Sequence, residues 1–255
     1  MANRVWVFDL DGTLMDTLDL YRKPAEEAYT LIMRKLGDHS PSFNEIKERH
    51  SILDKEMIYQ KDPDTGKLYL FTKKRFPTSL VKIYEILCKE AGIEPSFLVM
   101  RKIYRIGLKA FNQERYRRKI KPQAFMIAQF LKKRGDILFI LTKGDRRIQG
   151  DKRRALKEAG LLKFFKAFII VPDDKGPALK SIKETYPDNE RYCIGDTYKA
   201  DIMPGIKWGF FGVYIPSNAN WMEVGRLKWI EQQRSKRRSN RYANLMEIAE
   251  KYDYL

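Results

Sequence analysis

Four short segments of this sequence carry carboxylates, hydroxyls and amines directly after runs of apolar residues. Each apolar run predicts a buried strand, and each polar segment predicts the turn at which that strand ends. The side chains in question are Asp9 and Asp11, Thr142 and Lys143, Lys175, and Asp196 with Asp201. Parallel sheets bind ligands at the carboxyl ends of their strands, so we expect these segments to converge on one site.

Such a set of side chains is suited to phosphoryl transfer assisted by a metal ion. Asp9, Asp11 and Asp196 offer oxygen ligands with a surplus of negative charge, which a hard cation such as Mg²⁺ prefers. The Thr142 hydroxyl and the Lys175 ammonium suit phosphate oxygens. The carboxylate of Asp9 repels a phosphate ester. Once the metal ion and Lys175 offset this repulsion, Asp9 can attack phosphorus as a nucleophile and form an aspartyl-phosphate. Asp11, two residues further on, is the candidate general acid and later the base.

The elements that must position these residues alternate regularly from residue 122 onward. Strands are predicted at 137–141, 168–171, 192–194 and 212–215, and helices at 123–134, 149–159, 177–186 and 202–208. This alternation predicts a Rossmann-like α/β fold, in which helices cover both faces of a parallel sheet. The apolar run at residues 5–8 is a further predicted strand, and it has no neighbouring strand to pair with unless it joins the same sheet.

The long segment after the first strand predicts a separate helical unit. Residues 21–36, 80–91 and 97–111 carry apolar side chains at helical spacing. Two strand-like runs within 57–71 flank a turn of Pro, Asp and Gly, which predicts a hairpin or an ordered loop. We therefore predict a core made of residues 1–16 and 122–255, with a mainly helical cap domain of residues 17–121 inserted after the first strand.

The formal net charge of +17 is concentrated in two places. Residues 101–121 contain nine basic residues and one acidic residue, and residues 226–241 contain seven basic residues and one acidic residue. A solvated helix face is the commoner explanation of such runs. Contact with a polyanion or a nucleic acid through 101–121 and 226–241 stays open as an alternative.

Several classes of protein do not fit this composition. No apolar run approaches the length of about 18 residues that a membrane-spanning helix needs. The N-terminus lacks the apolar region of a signal peptide, and two cysteines give no disulfide framework. We therefore expect a cytoplasmic protein without a membrane partner.

Taken together, the four segments resemble the four motifs of the haloacid dehalogenase superfamily, in that family's order. The matching residues are Phe8-Asp9-Leu10-Asp11-Gly12-Thr13-Leu14, then Leu141-Thr142, then Lys175 ahead of a helix, and finally Gly195-Asp196 with Asp201. The insert lies where the family has helical caps of the first type, and the interval between Thr142 and Lys175 leaves no room for the other type. The third motif reads Asp-Lys-Gly-Pro, so Lys180 is a rival for the role of Lys175.

The resemblance implies a role for each matching residue. Asp9 is implied as nucleophile and metal ligand, Asp11 as acid/base and as a ligand through its carbonyl, Thr142 and Lys175 as phosphoryl ligands, and Asp196 with Asp201 as ligands of Mg²⁺. Lys143, beside Thr142, is a further candidate for contact with the phosphate. Dehalogenases of the superfamily lack an acid at the place of Asp11, so its presence points to phosphoryl chemistry.

We therefore expect a Mg²⁺-dependent phosphomonoester hydrolase that acts through an aspartyl-phosphate on a small phosphorylated metabolite or a nucleotide. Two alternatives stay open. One is a basic nucleic-acid-binding or scaffold protein that keeps this fold without the chemistry. The other is a phosphotransferase or mutase that uses the same aspartyl-phosphate.

Overall fold

A six-stranded sheet organises the larger part of the described chain. The computed structural model describes residues 3–217 and 239–254. Its strands are β1 (Val5–Phe8), β2 (Ile137–Lys143), β3 (Ala167–Val171), β4 (Arg191–Gly195), β5 (Phe211–Tyr214) and β6 (Ser239–Arg241). Their order in the sheet is β3-β2-β1-β4-β5-β6, and every neighbouring pair is parallel. The predicted parallel α/β fold is confirmed.

In the described chain four helices follow β1 in succession, and from residue 122 onward helices and strands alternate as predicted. They are α1 (Leu18–Leu36), α2 (Phe43–Met57), α3 (Arg75–Glu90), α4 (Phe97–Leu108), α5 (Pro122–Lys133), α6 (Arg146–Glu158), α7 (Gly176–Thr185), α8 (Met203–Lys207) and α9 (Met246–Glu250). A π-helical turn at Tyr198–Ile202 precedes α8. Within the described ranges, no helix is both long enough and apolar enough to cross a membrane.

The central strand β1 is apolar throughout because both of its faces are covered. Its four residues are all buried, as expected for a strand in the middle of a parallel sheet. Val5 and Val7 join the cluster on the face covered by α7 and α8. On the other face, Trp6 stacks on Tyr192 with ring centroids 4.3 Å apart and donates a hydrogen bond to Asp136.

The chain divides into two compact units. One contains the described residues up to Leu18 and those from Gln113 onward, and the other is Asp19–Asn112. The chain therefore returns to the larger unit at residue 113, ahead of the expected residue 122, because the short 3₁₀ turns before α5 pair with the end of the first motif. Asp16 N–H donates to the Lys119 carbonyl at 2.7 Å, and Lys121 N–H donates to the Leu14 carbonyl at 3.0 Å.

This division splits the first basic run. Its residues 101–109 lie in the helical unit and its residues 115–121 lie in the larger unit. Most of the second basic run, residues 226–238, lies outside the described residues.

Two parts of the structure differ from the sequence-based expectations, and a third, within 57–71, matches one of the two predicted alternatives. Helix α2 was not predicted, because His50 and Asp54 occupy two of its four buried positions and interrupt the apolar pattern. Residues 57–71 form an ordered loop with one antiparallel bridge, between Lys61 and Leu68, and no paired strands. The short polar strand β6 follows the strand that we expected to be the last.

A buried chain of hydrogen bonds links α1, α2 and α3 in the helical unit. Tyr29 Oη lies 2.7 Å from His50 Nδ1, His50 Nε2 lies 2.9 Å from Ser79 Oγ, and Ser79 Oγ donates to Asp54 Oδ1 at 2.8 Å. Because Ser79 donates to Asp54, His50 Nε2 donates to Ser79 while Nδ1 accepts from Tyr29. Asp54 also forms a buried ion pair with Arg75. This arrangement holds the imidazole neutral, and burial lowers the pKa of His50 to about 4.

We predict that acid destabilises the helical unit through His50. A folded-state pKa below the unfolded value of 6.5 contributes stability above pH 6.5, and this stability is lost as the pH falls towards 4. At roughly 1.4 kcal/mol per pKa unit, urea unfolding should show a loss of about 2–3 kcal/mol between pH 7 and pH 4.5 that His50→Gln removes. The exposed His39 offers the matched control, His39→Gln. An equal pH dependence in wild type and His50→Gln would contradict the assignment.

Candidate active site

The register of the sheet brings three of the four polar segments to one edge. Phe8 at the end of β1 lies opposite Ile140 of β2 and Ile194 of β4. Asp9 is the next residue, and its N–H donates to the Ile194 carbonyl at 2.8 Å. Asp9 therefore stands at the carboxyl end of the central strand, between the ends of β2 and β4.

Three carboxylates meet at this edge. One oxygen from each of Asp9, Asp196 and Asp201 lies within 4.8 Å of the others, and all three residues are buried. Burial raises the pKa of Asp9, and the neighbouring Asp201 raises it further. Burial, and then the charges of Asp9 and Asp201, raise the pKa of Asp196 well above its usual range. Burial is the largest cause of both shifts, because a buried carboxylate loses the water that stabilises its negative charge.

Lys175 offsets part of that charge from the start of α7. Its Nζ lies 2.5 Å from Asp9 Oδ1 and 2.7 Å from Asp201 Oδ1. Burial alone lowers the pKa of Lys175, but the two carboxylates outweigh it and raise this pKa above its ordinary value. The rival lysine, Lys180, is exposed on α7 and lies 3.8 Å from Glu184. The structure therefore places Lys175, and not Lys180, among the acids.

Two glycines are required by the close approach of the chain to these acids. A Cβ on Gly195 would lie 2.3 Å from the Cβ of Asp201. A Cβ on Gly12 would lie 2.0 Å from Asp196 Oδ2, and the φ of Gly12, +84°, is in the left-handed region that favours glycine. Asp201 is held in turn by Thr197, whose N–H donates to Asp201 Oδ2 at 3.0 Å.

Asp11 is held apart from the three acids by its own set of donors. Its carboxylate accepts from Thr17 Oγ1 at 2.7 Å, from Gln149 Nε2 at 3.0 Å, and from Lys152 Nζ at 2.6 and 2.8 Å. Burial opposes ionisation, but Lys152 and the hydrogen bonds outweigh it and lower the pKa of Asp11. Asp11 is therefore a carboxylate in this state, and its carboxylate is not part of the acidic cluster found in the described chain.

Gln149 and Lys152 were not among the site residues expected from the sequence. They lie on the buried face of α6, one turn apart, among apolar neighbours such as Ile148 and Leu156. A glutamine and a lysine on the apolar face of an amphipathic helix are the signal that identifies them, because buried polar groups need partners. Gln149 also donates to the Lys143 carbonyl at 2.9 Å, which ties α6 to the end of β2.

The remaining predicted residues lie along the same edge of the sheet. Thr142 is buried at the end of β2, with its hydroxyl 3.5 Å from the Lys143 carbonyl. Lys143 Nζ lies 3.9 Å from Asp173, which follows β3. Lys121, counted in the sequence only as part of a basic run, donates to the Gly12 carbonyl and acts electrostatically on Asp196. It is a further site residue that charge counting did not separate from its neighbours.

No protein-family model and no curated protein matches this chain by sequence. Solved structures do match it. A haloacid dehalogenase-like hydrolase from Xanthomonas campestris superposes with a TM-score of 0.68 at 15% identity, over 99% of this chain and 91% of that one. The chain has the haloacid dehalogenase fold.

Two other enzymes of the haloacid dehalogenase fold match over nearly their full lengths. The hydrolase YfnB from Bacillus subtilis, solved with magnesium bound, has a TM-score of 0.56 at 18% identity, over 98% of both chains. A protein described as a predicted phosphoglycolate phosphatase, from Haemophilus somnus, has a TM-score of 0.55 at 16% identity, over 97% of both chains. Dehalogenases share the haloacid dehalogenase fold as well. The superfamily resemblance seen in the motifs is therefore supported by the fold.

We predict that Lys175 is needed for stability and that Lys180 is not. Lys175→Met leaves Asp9 and Asp201 buried without their cation, which should cost about 3–5 kcal/mol. Lys180→Met removes an exposed pair and should change the free energy of unfolding by less than about 0.5 kcal/mol. Urea unfolding of both variants at pH 7 measures the difference. Equal losses would show that Lys175 does not hold the acids in the native state.

Proposed function

We propose that the protein is a Mg²⁺-dependent phosphomonoester hydrolase that acts through an aspartyl-phosphate on Asp9. The observation that carries the proposal is the buried cluster of Asp9, Asp196 and Asp201 with Lys175 in contact. Asp11, two residues after Asp9 and held by its own donors, supplies the second carboxylate that phosphoryl chemistry needs and dehalogenation does not.

The acidic cluster fits a hard divalent cation. Its three ligand atoms are carboxylate oxygens, the type that Mg²⁺ binds. When ionised, these three carboxylates carry more negative charge than Lys175, which contacts Asp9 and Asp201, can offset. When bound, Mg²⁺ would offset the charge of phosphate oxygens and of Asp9. Asp9, Asp196 and Asp201 would hold it, with the Asp11 carbonyl as the fourth ligand implied by the superfamily resemblance.

The side chains then divide the reaction between two steps. In the first, an oxygen of Asp9 attacks phosphorus, the ester P–O bond breaks, and protonated Asp11 gives its proton to the leaving oxygen, the acid role that the superfamily resemblance implies. In the second, water attacks phosphorus and Asp9 is released, with Asp11 accepting the proton of that water. The lowered pKa of Asp11 favours the ionised form that accepts this proton, and it works against the protonated form that the first step needs. Thr142, Lys143 and Lys175 are the side chains proposed to hold the phosphoryl oxygens.

We predict that Asp9→Asn abolishes hydrolysis of an aryl phosphate in the presence of Mg²⁺. The amide cannot form the aspartyl-phosphate, so kcat should fall by at least about 10³-fold, as loss of a nucleophile does. The exposed Asp188 gives a matched control, since Asp188→Asn removes the same charge before β4, whereas Asp196 follows the opposite end of that strand. EDTA should stop the wild-type reaction and added Mg²⁺ should restore it.

Two outcomes contradict the proposal. One is a wild-type protein as inactive as Asp9→Asn across a broad panel of phosphate esters with Mg²⁺. The other is release of halide from 2-haloacids with no phosphatase activity, which would assign the fold's other known chemistry to this chain.

We predict separately that Lys152 positions Asp11 for the second step. Lys152→Met removes the cation that makes two of the contacts to Asp11, and kcat should fall by roughly 10²-fold, within the range that acid–base catalysis contributes. KM for the aryl phosphate should change little, because Lys152 contacts Asp11 and not the phosphate-binding residues. Lys152→Arg keeps the charge and should recover part of kcat. A rise in KM with kcat unchanged would instead make Lys152 a substrate-binding residue.

A further inference from the structure

Helix α6 presents a row of basic side chains on its outer face. Arg146, Arg153 and Lys157 follow one another along the helix with Gly150 between them, and Arg147 and Arg154 flank the row. We call these five residues the α6 basic face. All five are exposed. From Arg146 to Lys157 the row is about 16 Å long at 1.5 Å of rise per residue.

The positive charge of the α6 basic face is largely unopposed. Within the described chain, Arg154 is its one member with an ion pair, at 3.9 Å from Asp151. Asp145 accepts hydrogen bonds from the backbone N–H groups at the start of the helix. Glu158 lies beyond the last of the basic residues. A surface of this kind attracts a polyanion.

The opposite face of the same helix reaches the candidate active site. Gln149 and Lys152 contact Asp11 from α6, and α6 begins three residues after Lys143. The start of the α6 basic face therefore lies beside the carboxyl end of β2. The 3₁₀ turn Arg117–Lys119 packs against α6 as well, and both of its arginines are exposed.

Three features decide which polyanion fits. Four of the five side chains are arginine, whose guanidinium binds phosphate oxygens through two parallel hydrogen bonds. The row of about 16 Å spans four or five phosphates at about 3.4 Å each, the rise per nucleotide of one strand in a B-form duplex, and fewer phosphates of an extended single strand. The position between the basic residues is Gly150, with open space around it, so the face lacks the apolar side chains that an interfacial membrane helix inserts.

We propose that the α6 basic face binds the sugar–phosphate backbone of a single-stranded nucleic acid, and that the terminal phosphate of that strand is the substrate of the site. The second part rests on the proposed phosphatase activity, whereas the first part, binding, does not. The contacts are to phosphates and not to bases, so binding is independent of sequence.

This surface is not one of those that charge counting singled out. Helix α6 holds six basic and two acidic residues, a net charge of +4, which is smaller than the +8 of residues 101–121 and the +6 of residues 226–241. In the folded helix five of the basic side chains share one side, and Lys152 is buried on the other. The net charge of the segment therefore does not identify this surface, whereas the position of each residue around the helix does.

The test compares two triple variants that remove the same charge. Arg146→Gln, Arg153→Gln and Lys157→Gln together change the α6 basic face. Lys132→Gln, Lys133→Gln and Lys163→Gln change exposed residues on α5 and on the 3₁₀ turn Leu162–Phe164. Each protein is titrated against a fluorescent oligothymidylate of about ten nucleotides without a terminal phosphate, from low to high salt. The same oligonucleotide with a terminal phosphate, and an aryl phosphate, serve as substrates.

We expect the face variant to bind the oligonucleotide at least tenfold more weakly at low salt, with a salt slope smaller by about 2, because each lost phosphate contact removes about 0.7. Its KM for the phosphorylated oligonucleotide should rise by a similar factor while its activity on the aryl phosphate stays unchanged. The control variant should change each of these quantities by less than twofold.

Three outcomes overturn the inference. The first is that both triple variants bind the oligonucleotide equally weakly, which would show that binding depends only on net charge. The second is no measurable oligonucleotide binding by the wild type at low salt. The third is a face variant that no longer binds the phosphatidylserine vesicles that the wild type binds, although it binds the oligonucleotide as the wild type does. This result would assign the face to a membrane. A protein that binds the oligonucleotide through α6 but hydrolyses no phosphate ester would contradict the proposed function and leave the binding surface in place.

Discussion

The repulsion among three buried carboxylates is the constraint on which the larger unit depends. Asp9, Asp196 and Asp201 share a space where water screens little, and carboxylates in such a place either find positive charge or take up protons. Lys175 supplies charge to two of them through direct contacts, and Lys121 acts on Asp196 from the segment before α5. Three carboxylates face two lysines, so one negative charge stays unbalanced when all five groups are ionised. A divalent cation is the simplest group that completes the balance.

The same crowding requires glycine at two positions of the backbone. Gly12 and Gly195 lie where any side chain would collide with Asp196 or Asp201. The sheet supplies the other half of the arrangement, because β1 and β4 are neighbours and end at the same level. The residues that follow each strand therefore meet although they are far apart in sequence.

Much of this site was predictable because its signals are local. Asp9, Thr142 and Asp196 each follow a strand whose apolar residues are consecutive, so the strand and the residue after it are recognised together. Helix α2 was not predictable in this way, since His50 and Asp54 take buried positions by hydrogen bonding to partners on other helices. Lys152 was missed for the same physical reason. Its burial depends on Asp11, which lies 141 residues away in sequence.

Helix α6 shows how one amphipathic element can serve two kinds of electrostatics. On its inner face, Lys152 is buried away from water and donates to both carboxylate oxygens of Asp11. The geometry of that pair fixes where the carboxylate points. On its outer face the arginines keep their water, so their charge acts at longer range and is weakened by salt. A buried cation sets the position of a reacting group, whereas exposed cations raise the local concentration of an anionic partner. Substitutions on the two faces should therefore separate turnover from recruitment, even though the residues concerned are neighbours on a single helix.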